Sequence, residues 1–311
     1  MPSWNESDIP DQTGRTVLVT GATGGLGLRI AHVLAGTGAR VLMTSRNAER
    51  GAKALASVSA VATDAAPELV ELDLASLDSV RTAVADIRER TGDRIDLLIN
   101  NAGVMAPPLS FSDDGVELQW ATNVFGPALL TWSLLPAIER VPGSRIVFVS
   151  SVAHWGGRFT PERLERDLTG EGYVPFAYYG RTKLADLLLS RELQRHFLRV
   201  GADTISLAAH PGVSATGLID STTAGKPGWV KAIARGSIDL LGQPAEGGAL
   251  PILYAATEPG VRGSQFFGPA WVFETRGPPT RATRSPASRS DELGAEMLAF
   301  VEEQVGIPAP R

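Results

Sequence analysis

The sequence predicts an α/β fold in which helices cover both faces of a mostly parallel sheet of about seven strands. Three observations predict this doubly wound architecture. Short apolar runs rich in β-branched residues alternate with longer stretches of helical periodicity. A glycine-rich turn separates the first such run from the first helix. No internal repeat or linker divides the 311 residues, so we expect a single domain over 1–311.

Each predicted strand is a short apolar run, which is typical of strands that are buried on both faces of a parallel sheet. The first run, Arg-Thr-Val-Leu-Val-Thr, comes directly before the glycine-rich turn. The crossovers between successive parallel strands are expected to be right-handed. In chain order, the predicted strands are Arg15–Thr20, Arg40–Thr44, Leu69–Leu72, Ile95–Ile99, Arg145–Val149, Asp203–Ala208 and a short Ser264–Phe267.

The predicted helices lie between these strands, where apolar residues recur at helical spacing. Ser76 suits the N-cap of the third helix, because its hydroxyl can accept a hydrogen bond from an amide of the first turn. Pro127 is expected near a bend in the fourth helix. In chain order, the predicted helices are Gly25–Gly38, Ala48–Ser59, Ser76–Arg90, Val116–Ile138 and Tyr178–Leu198.

The C-terminal part of the chain differs in composition from the rest. Residues 277–290 are rich in Pro, Ser, Thr and Arg, which predicts an irregular segment. Its arginines could bind an anion, although a solvated loop is the simpler interpretation. From Leu293 to Val305 apolar residues recur at helical spacing. This pattern predicts an amphipathic helix over about 291–304 that docks on the body of the protein.

Composition and charge exclude several classes of function. Lys and Arg number 29 and Asp and Glu 34, and the net charge of −5 argues against a nucleic-acid or anionic-membrane surface. The chain has no cysteine, which excludes disulfides and thiolate chemistry. Its four histidines lack the spacing of metal ligands, so no metal is expected. The sequence shows neither a signal peptide nor an apolar run long enough for a transmembrane helix, and we expect a cytoplasmic location.

The glycine-rich turn Thr20–Gly27 has the features of a dinucleotide phosphate loop. Glycines let backbone amides approach a pyrophosphate, and the N-terminus of the following helix adds a favourable partial charge. The spacing fits two patterns. Gly21, Gly25 and Gly27 match Gly-x-x-x-Gly-x-Gly, whereas Gly21, Gly24 and Gly27 match Gly-x-x-Gly-x-x-Gly. A glycine turn without a ligand is the alternative that the loop alone leaves open.

The end of the second strand indicates which dinucleotide is bound. In NAD sites an acidic residue about 20 positions beyond the glycine loop binds the ribose 2′-hydroxyl. Here Ser45 and Arg46 occupy that place, and no Asp or Glu occurs before Glu49. Because a guanidinium pairs well with phosphate, we predict NADP rather than NAD. The alternative is that Arg46 is only a solvated residue after a strand.

Tyr179 and Lys183 place a phenol and an amine four residues apart. In a helix the two side chains lie on one face, one turn apart. A nearby ammonium stabilises phenolate and lowers the pKa of a tyrosine from about 10, so that it can exchange a proton with a carbonyl or alcohol oxygen. Taken alone, the spacing also fits an ordinary surface helix pair. Other motifs must decide between these interpretations.

Several motifs, in the right order, resemble those of the short-chain dehydrogenase/reductase family. They are the glycine-rich turn, Asn-Asn-Ala-Gly at Asn100–Gly103, and the Tyr-x-x-x-Lys pair. The resemblance covers most of the chain and favours the shorter oxidoreductase subtype with a Rossmann fold and the Gly-x-x-x-Gly-x-Gly pattern. His154 after Ser-Ser-Val-Ala, His210 before Pro-Gly, and Arg46 make the chain most similar to the retinol-dehydrogenase and protochlorophyllide-reductase-like branch.

The resemblance implies a catalytic set and a cofactor site. The implied catalytic residues are Asn123, Ser151, Tyr179 and Lys183. Together with the second strand end, the implied cofactor-binding residues are Gly21, Thr23, Gly24, Gly25, Leu26, Gly27, Ser45, Arg46, Asp73, Leu74, Asn101, Ala102, Gly103, Tyr179, Lys183, Pro211, Gly212, Val213 and Thr216. Ser150 is an adjacent candidate, but the family pattern favours Ser151. The 28-residue interval from Ser151 to Tyr179 is longer than in most members, as in the retinol-dehydrogenase-like branch.

These residues imply hydride transfer between the nicotinamide and a carbonyl or alcohol. Tyr179 would act as general acid or base, and Lys183 would lower its pKa and bind the nicotinamide ribose. Ser151 would donate a hydrogen bond to the substrate oxygen. By resemblance, Asn123 would hold a helix distortion and a water that links Lys183 to solvent.

The substrate is expected to be an apolar small molecule. The interval between Ser151 and Tyr179 carries several apolar side chains that would flank the nicotinamide, although packing in the core explains them equally well. The stretch from Pro211 to Trp229 has the composition of a lid. The apolar side chains are Trp155, Phe159, Tyr173, Val174 and Phe176.

Two other functions compete with this interpretation. A catalytically silent NADP-binding sensor or interaction protein would usually have lost Tyr179 or Lys183, and both are present. An isomerase or epimerase would need the extended subtype and a larger C-terminal substrate domain. The resemblance also makes a homodimer possible, because the long helices around Asn123 and Tyr179 pair between subunits in many family members.

Overall fold

All the described strands lie in a single mixed sheet. The computed structural model describes residues 4–212 and 243–311. The strand order is β3-β2-β1-β4-β5-β6-β7-β8, in which β1 to β7 are parallel and β8 is antiparallel to β7. The strands are β1 (Thr16–Val19), β2 (Arg40–Ser45), β3 (Glu68–Glu71), β4 (Leu97–Asn100), β5 (Arg145–Val149), β6 (Ile205–Ala209), β7 (Phe266–Trp271) and β8 (Arg276–Arg281). The predicted doubly wound fold is confirmed.

Helices cover both faces of the sheet and bury the apolar side chains of its central strands. Ser76 caps α3 as predicted, since its hydroxyl accepts a hydrogen bond from the amide of Ser79. The described helices of eight or more residues are α1 (Gly25–Gly36), α2 (Ala48–Ser59), α3 (Leu77–Thr91), α4 (Gly126–Glu139), α5 (Pro161–Leu168), α6 (Pro175–Val200), α7 (Ala245–Thr257) and α8 (Asp291–Val305).

Three sequence predictions about these elements are corrected. The expected helix over 116–138 is broken into Leu118–Trp120, a π-helical turn Ala121–Phe125, and α4. Helices α5 and α7 were not predicted. The segment 277–290, expected to be irregular, contributes most of β8. Two prolines do not prevent this strand from forming, because β8 lies at the edge of the sheet, where prolines are tolerated.

Helix α8 packs across α6 and the segment before α4. Phe300 makes ring contacts with Trp120 and Phe125, and Met297 and Val301 are fully buried. The apolar surface beneath α8 is therefore covered within one chain. A homodimer remains a prediction, and it would need a surface other than the one that α8 covers.

The stretch 118–139 is long and apolar enough to span a membrane by length and composition. Within the fold, 89% of its apolar window is buried, as expected for a helix in the core of a folded domain. Its apolar character is explained by packing against the sheet, α6 and α8.

Candidate active site

The candidate active site is a crevice at the carboxyl ends of the parallel strands, where the strand order reverses between β1 and β4. Its cavity, of about 480 Å³, extends from the glycine-rich turn to α6. The predicted residues that line it are Gly21, Thr23, Gly24, Gly25, Leu26, Gly27, Ser45, Arg46, Asp73, Leu74, Asn101, Ala102, Gly103, Tyr179, Lys183 and Pro211. Asn123, Ser151 and Gly212 adjoin lining residues, whereas Val213 and Thr216 lie outside the described residues.

The glycine-rich turn is packed so tightly that two of its positions exclude a side chain. Gly21 has a φ of +66°, and a Cβ at Gly27 would lie 2.4 Å from the Gly21 carbonyl oxygen. Gly24 differs, because a Cβ there would meet nothing within 4 Å. Gly24 is also the N-cap of α1, so the first turn of this helix has no hydrogen bond from a capping side chain. The first-turn amides of α1 are therefore available to an anionic group in the crevice.

Asn101 fixes the glycine-rich turn to the end of β4. Its side-chain amide donates to the carbonyl oxygen of Thr20 at 2.8 Å. The backbone amides of Asn101 and Ala102 each donate to the Thr20 hydroxyl at 3.0 Å. Asn101 therefore shapes the floor of the crevice through the turn that it holds.

Arg46 and Arg50 line the cavity beside the end of β2. Among residues 4–212 and 243–311, neither guanidinium has a hydrogen-bond or ion-pair partner. The Ser45 hydroxyl donates to the carbonyl oxygen of Asn47 at 2.8 Å and so stabilises the turn after β2. Asn47 caps α2 by accepting from the Arg50 amide at 2.8 Å. Sequence reasoning missed Arg50; the signal was the capping residue Asn47, which puts Arg50 in the first turn of α2.

Asp73 and Leu74 line the cavity just after β3. One carboxylate oxygen of Asp73 accepts from the Ala75 amide at 2.9 Å and holds the local turn. The Asp73 amide donates to the Ser79 hydroxyl at 2.9 Å, which ties this turn to the start of α3. These bonds fix the wall of the crevice on the β3 side.

Asn123 joins three segments around α6. It lies in the π-helical turn Ala121–Phe125, which is the kind of helix distortion that the resemblance implies. Its carbonyl oxygen accepts from the Val104 amide at 2.8 Å, and its amide donates to the Val104 carbonyl at 2.9 Å and to the Thr182 hydroxyl at 3.1 Å. Thr182 donates in turn to the carbonyl oxygen of Tyr179 at 2.9 Å. The widened turn thereby orients the part of α6 that carries the tyrosine.

Lys183 is buried beside Tyr179 with its ammonium 5.7 Å from the centre of the phenol ring. It donates to the Val149 carbonyl at 2.9 Å and to an Asp186 carboxylate oxygen at 2.8 Å. Burial lowers the pKa of Lys183, but attraction to Asp186 and Tyr179 outweighs it, and the pKa lies above its usual value. Lys183 is therefore held as a cation at the edge of the cavity. Sequence reasoning missed Asp186.

The two adjacent serines after β5 have different hydrogen-bond roles. Ser150 is buried and donates its hydroxyl proton to the Lys183 carbonyl at 2.7 Å. Ser151 accepts from the Ala153 amide at 3.2 Å, and within the described residues its own proton has no acceptor. Ser151 can therefore donate a hydrogen bond to a ligand, whereas Ser150 is committed to α6.

Gly157 and Gly180 allow the turn after Ser151 to lie directly on α6. A Cβ at Gly157 would be 2.5 Å from the Gly180 carbonyl, and one at Gly180 would be 2.8 Å from the Ala153 carbonyl. Gly180 immediately follows Tyr179. This close approach brings the serine turn next to the tyrosine.

His154 ties Ser151 to the C-terminal segment. Its Nδ1 lies 2.7 Å from the Ser151 carbonyl, and its Nε2 accepts from the Ser285 amide at 3.2 Å. Burial lowers the pKa of His154 to about 4. A neutral ring with its proton on Nδ1 satisfies both bonds, so this histidine is structural in its contacts.

His210 and Glu274 anchor the turn between β7 and β8 to the loop after β6. His210 Nδ1 accepts from the Gly212 amide at 3.2 Å, and Nε2 lies 3.1 Å from a Glu274 carboxylate oxygen. Burial would raise the pKa of Glu274, but hydrogen bonds from His210 and Thr283 bring it to about 2. Val272, Phe273 and Glu274 all have positive φ, a costly conformation that these contacts hold in place.

The residues of the crevice fit a dinucleotide. Gly24 leaves open space at the start of α1, the first-turn amides lack side-chain caps, and Arg46 and Arg50 are unpaired among the described residues. Within the same part of the chain, no group of three or more His, Asp or Glu side chains could hold a metal ion. The arrangement brings a phosphate cradle and a phenol-ammonium pair into one cavity.

Comparisons with known proteins agree with this geometry. Residues 15–160 match the family model described as short chain dehydrogenase. The chain is 36% identical to polyprenol dehydrogenase of Danio rerio, over 82% of this chain and 78% of that protein. It is also 36% identical to retinol dehydrogenase 14 of Mus musculus, over 82% of this chain and 78% of that protein. A solved structure of a protein from Mycobacterium paratuberculosis is 34% identical, with a TM-score of 0.79 over 99% of this chain and 100% of that one.

Fold and site thus define an α/β oxidoreductase built around a dinucleotide crevice. The chain belongs to the short-chain dehydrogenase/reductase family and to its retinol-dehydrogenase-like branch. The family prediction made from the ordered motifs is confirmed.

Proposed function

We propose that this chain is an NADP-dependent oxidoreductase that interconverts a carbonyl and an alcohol on an apolar small molecule. The observation that carries the proposal is that Tyr179 and Lys183 line the same cavity as the glycine-rich turn. The bound nicotinamide would supply or accept the hydride. The protein would position the reactants and move the proton.

Tyr179 would exchange the proton with the substrate oxygen, giving it in reduction and taking it in oxidation. The ammonium of Lys183, 5.7 Å from the centre of the Tyr179 ring, would stabilise the negative charge that develops on the phenol oxygen during proton transfer. The hydroxyl of Ser151 would donate to the same substrate oxygen as negative charge develops on it. Asn123 would act indirectly, by holding the helix turn that orients Tyr179.

Two unpaired arginines support NADP over NAD. Arg46 and Arg50 line the crevice at the end of β2, where the adenosine ribose binds in dinucleotide folds of this class. A 2′-phosphate would find two guanidinium groups and the N-terminus of α2 there. No carboxylate of the described residues pairs with either arginine, so both charges are available to that phosphate.

Exposed apolar side chains around the catalytic residues support an apolar substrate. Trp155, four residues after Ser151, is 49% exposed, and Phe176, one turn before Tyr179 on α6, is 58% exposed. Val174 beside it is also exposed. The relatives named above are called polyprenol and retinol dehydrogenases, and both named compounds are apolar alcohols.

The proposal is tested by titrating the purified protein with NADPH and NADH and then following NADPH oxidation with a panel of apolar aldehydes and ketones. We expect tighter binding of NADPH and turnover with some members of the panel. Binding without turnover across a broad panel would favour a cofactor-binding sensor. Failure to bind either nucleotide would refute the assignment of the crevice.

Replacing Arg46 by alanine should weaken NADPH binding by about 10- to 100-fold and leave NADH binding nearly unchanged. The reason is that a charge-assisted hydrogen bond contributes about 1.5–3 kcal/mol, and only NADPH carries the 2′-phosphate. Lys53→Ala is the matched control, because Lys53 also lies on the α2 side but pairs with Glu49 and does not line the cavity. Equal losses for both nucleotides would contradict the assignment.

A further inference from the structure

Asp186 is a buried carboxylate in contact with the catalytic lysine. It lies three residues after Lys183 on α6, is 4% exposed, and accepts a hydrogen bond from Lys183 Nζ at 2.8 Å. The neighbouring side chains Leu184, Leu187 and Leu188 are fully buried and apolar. An acidic residue is thus placed in an apolar stretch of helix, where its ionised form is costly unless it is paired.

Helix stability alone does not account for this ion pair. A buried pair gains little net stability over an apolar replacement, because both charges must be removed from water. Burial raises the pKa of Asp186 to about 6, against the opposing effect of Lys183, and the hydrogen bond from the Lys183 ammonium at 2.8 Å favours the ionised carboxylate. The feature that distinguishes the pair is its position, because the Lys183 ammonium also lies 5.7 Å from the centre of the Tyr179 ring.

The surroundings leave Tyr179 as the principal third ionisable partner of the pair. On the β5 side, Lys183 donates a hydrogen bond to the carbonyl oxygen of Val149, which is neutral. From the π-helical turn, the nearby group is the neutral amide of Asn123, which also contacts the loop after β4. Within the described residues, Tyr179 and Asp186 are the titratable groups that raise the pKa of Lys183. Lys183 is the titratable group that lowers the pKa of Asp186.

We propose that Asp186 is a positioning residue of the active site, which holds Lys183 against β5 and offsets the charge that Lys183 presents to Tyr179. Two protons of the ammonium are directed to Val149 and Asp186. The third remains for the cavity, which Lys183 lines. Asp186 thereby fixes the orientation of the Lys183 side chain and reduces the positive electrostatic potential that Lys183 creates at the Tyr179 phenol. This proposal rests on the proposed function of Tyr179 and Lys183.

The electrostatic consequence has a definite sign as long as Lys183 remains protonated. A carboxylate behind the ammonium weakens the positive potential at the phenol and so keeps its proton affinity higher than a lone lysine would. Removing that negative charge should shift the ionisation of Tyr179 to lower pH by about one unit. A residue that served only to stabilise the helix would change the unfolding midpoint and not this titration.

The chain allows this ionisation to be observed without turnover. It has four tyrosines. Burial raises the pKa of Tyr178 to about 12, and burial also raises those of Tyr173 and Tyr254. The tyrosinate absorbance of the protein therefore sums four phenols in different surroundings. Subtracting the titration of a Tyr179→Phe variant assigns the signal.

The experiment compares this titration in the full-length wild type, Asp186→Asn and Asp186→Glu. We expect the midpoint to fall by about one pH unit in Asp186→Asn and to stay near the wild-type value in Asp186→Glu, which keeps the charge. Glu192→Gln is the matched control, because Glu192 is a buried acid on the same helix that pairs with Arg195 instead. Circular dichroism verifies folding, and Asp186→Leu replaces Asp186→Asn if the amide prevents folding.

An unchanged midpoint in the folded, charge-free variant would overturn the proposal. So would an equal shift in Glu192→Gln, because the effect would then not depend on contact with Lys183. In enzyme with measured turnover, the limb of the pH profile for alcohol oxidation should move in the same direction. If no substrate is turned over, the absorbance titration still decides the role of Asp186, so its failure and that of the proposed function are distinguishable.

Discussion

Replacing Tyr179 by phenylalanine is expected to lower the turnover number by about 100- to 10,000-fold while leaving nucleotide binding nearly unchanged. The phenol is the proton donor and acceptor of the proposed reaction, and it lines the cavity close to Lys183. Phenylalanine keeps the ring that packs beside the ammonium and removes only the hydroxyl. Steady-state rates and NADPH titration on the same preparation measure the two effects separately.

The neighbouring tyrosine provides the matched control. Tyr178 is fully buried, donates its hydroxyl to the Glu171 carbonyl at 3.0 Å, and does not line the cavity. We expect Tyr178→Phe to cost stability and to leave turnover near that of the wild type. Retained turnover in Tyr179→Phe would refute its assignment as the proton donor.

Asp167→Ala should be the most destabilising of the substitutions considered, with a loss of about 3–5 kcal/mol in the free energy of unfolding. Asp167 is fully buried and forms an ion pair with Arg181, which it also binds at 2.9 Å through its second oxygen. It accepts from the Trp120 indole at 3.3 Å and lies 2.9 Å from Arg163. Its removal would leave the buried Arg181 without its counter-charge.

Urea denaturation compares this variant with Glu171→Gln. Glu171 lies in the same segment, but its ion pair with Arg166 is exposed on both sides, at 3.6 Å. Exposed pairs contribute little, so we expect a change within about 0.5 kcal/mol for that control. Similar losses in both variants would show that the buried network does not hold the segment before α6 in place.

The regular, central parts of the fold were the most predictable from the sequence. The bounds of α2 and β5 match the prediction, because each is a strong local pattern with a clear start. Prediction was wrong at β8, where Pro278 and Pro279 suggested irregular chain. Their effect depends on whether the strand is central or at an edge, which is a property of the assembled sheet.

Helices α5 and α7 show two further limits of local patterns. Helix α5 begins with Pro161 after the N-cap Thr160, a start signal that was present in the sequence. Helix α7 contains Gly247, Gly248 and Pro251, which are poor helix formers in isolation. Burial against β7 and α1 stabilises it, and that packing cannot be read from the segment itself.

Within the site, the sequence located the residues that belong to motifs and missed those that act on them. Tyr179, Lys183 and the glycine-rich turn could be singled out because their spacing suits the proposed chemistry, and all of them line the cavity. Arg50 and Asp186 were missed because each is a single charged residue in a helix, and only the folded structure shows that one lines the crevice and the other binds Lys183. The choice of Ser151 over Ser150 stays a prediction: Ser150 lines the cavity but donates its proton to the Lys183 carbonyl, whereas Ser151 adjoins the cavity and its proton has no acceptor among the described residues.

Helix α8 has a consequence for how the protein is made. Its Phe300 packs on Phe125, at the end of the π-helical turn that contains Asn123. Asn123 is thus encoded 168 residues before the start of the helix that completes its packing. During synthesis the ribosome releases the N-terminal strands first, so the segment that carries Asn123 stays incompletely packed until α8 emerges. The part of the candidate site around Asn123 is therefore assembled late, after the glycine-rich turn.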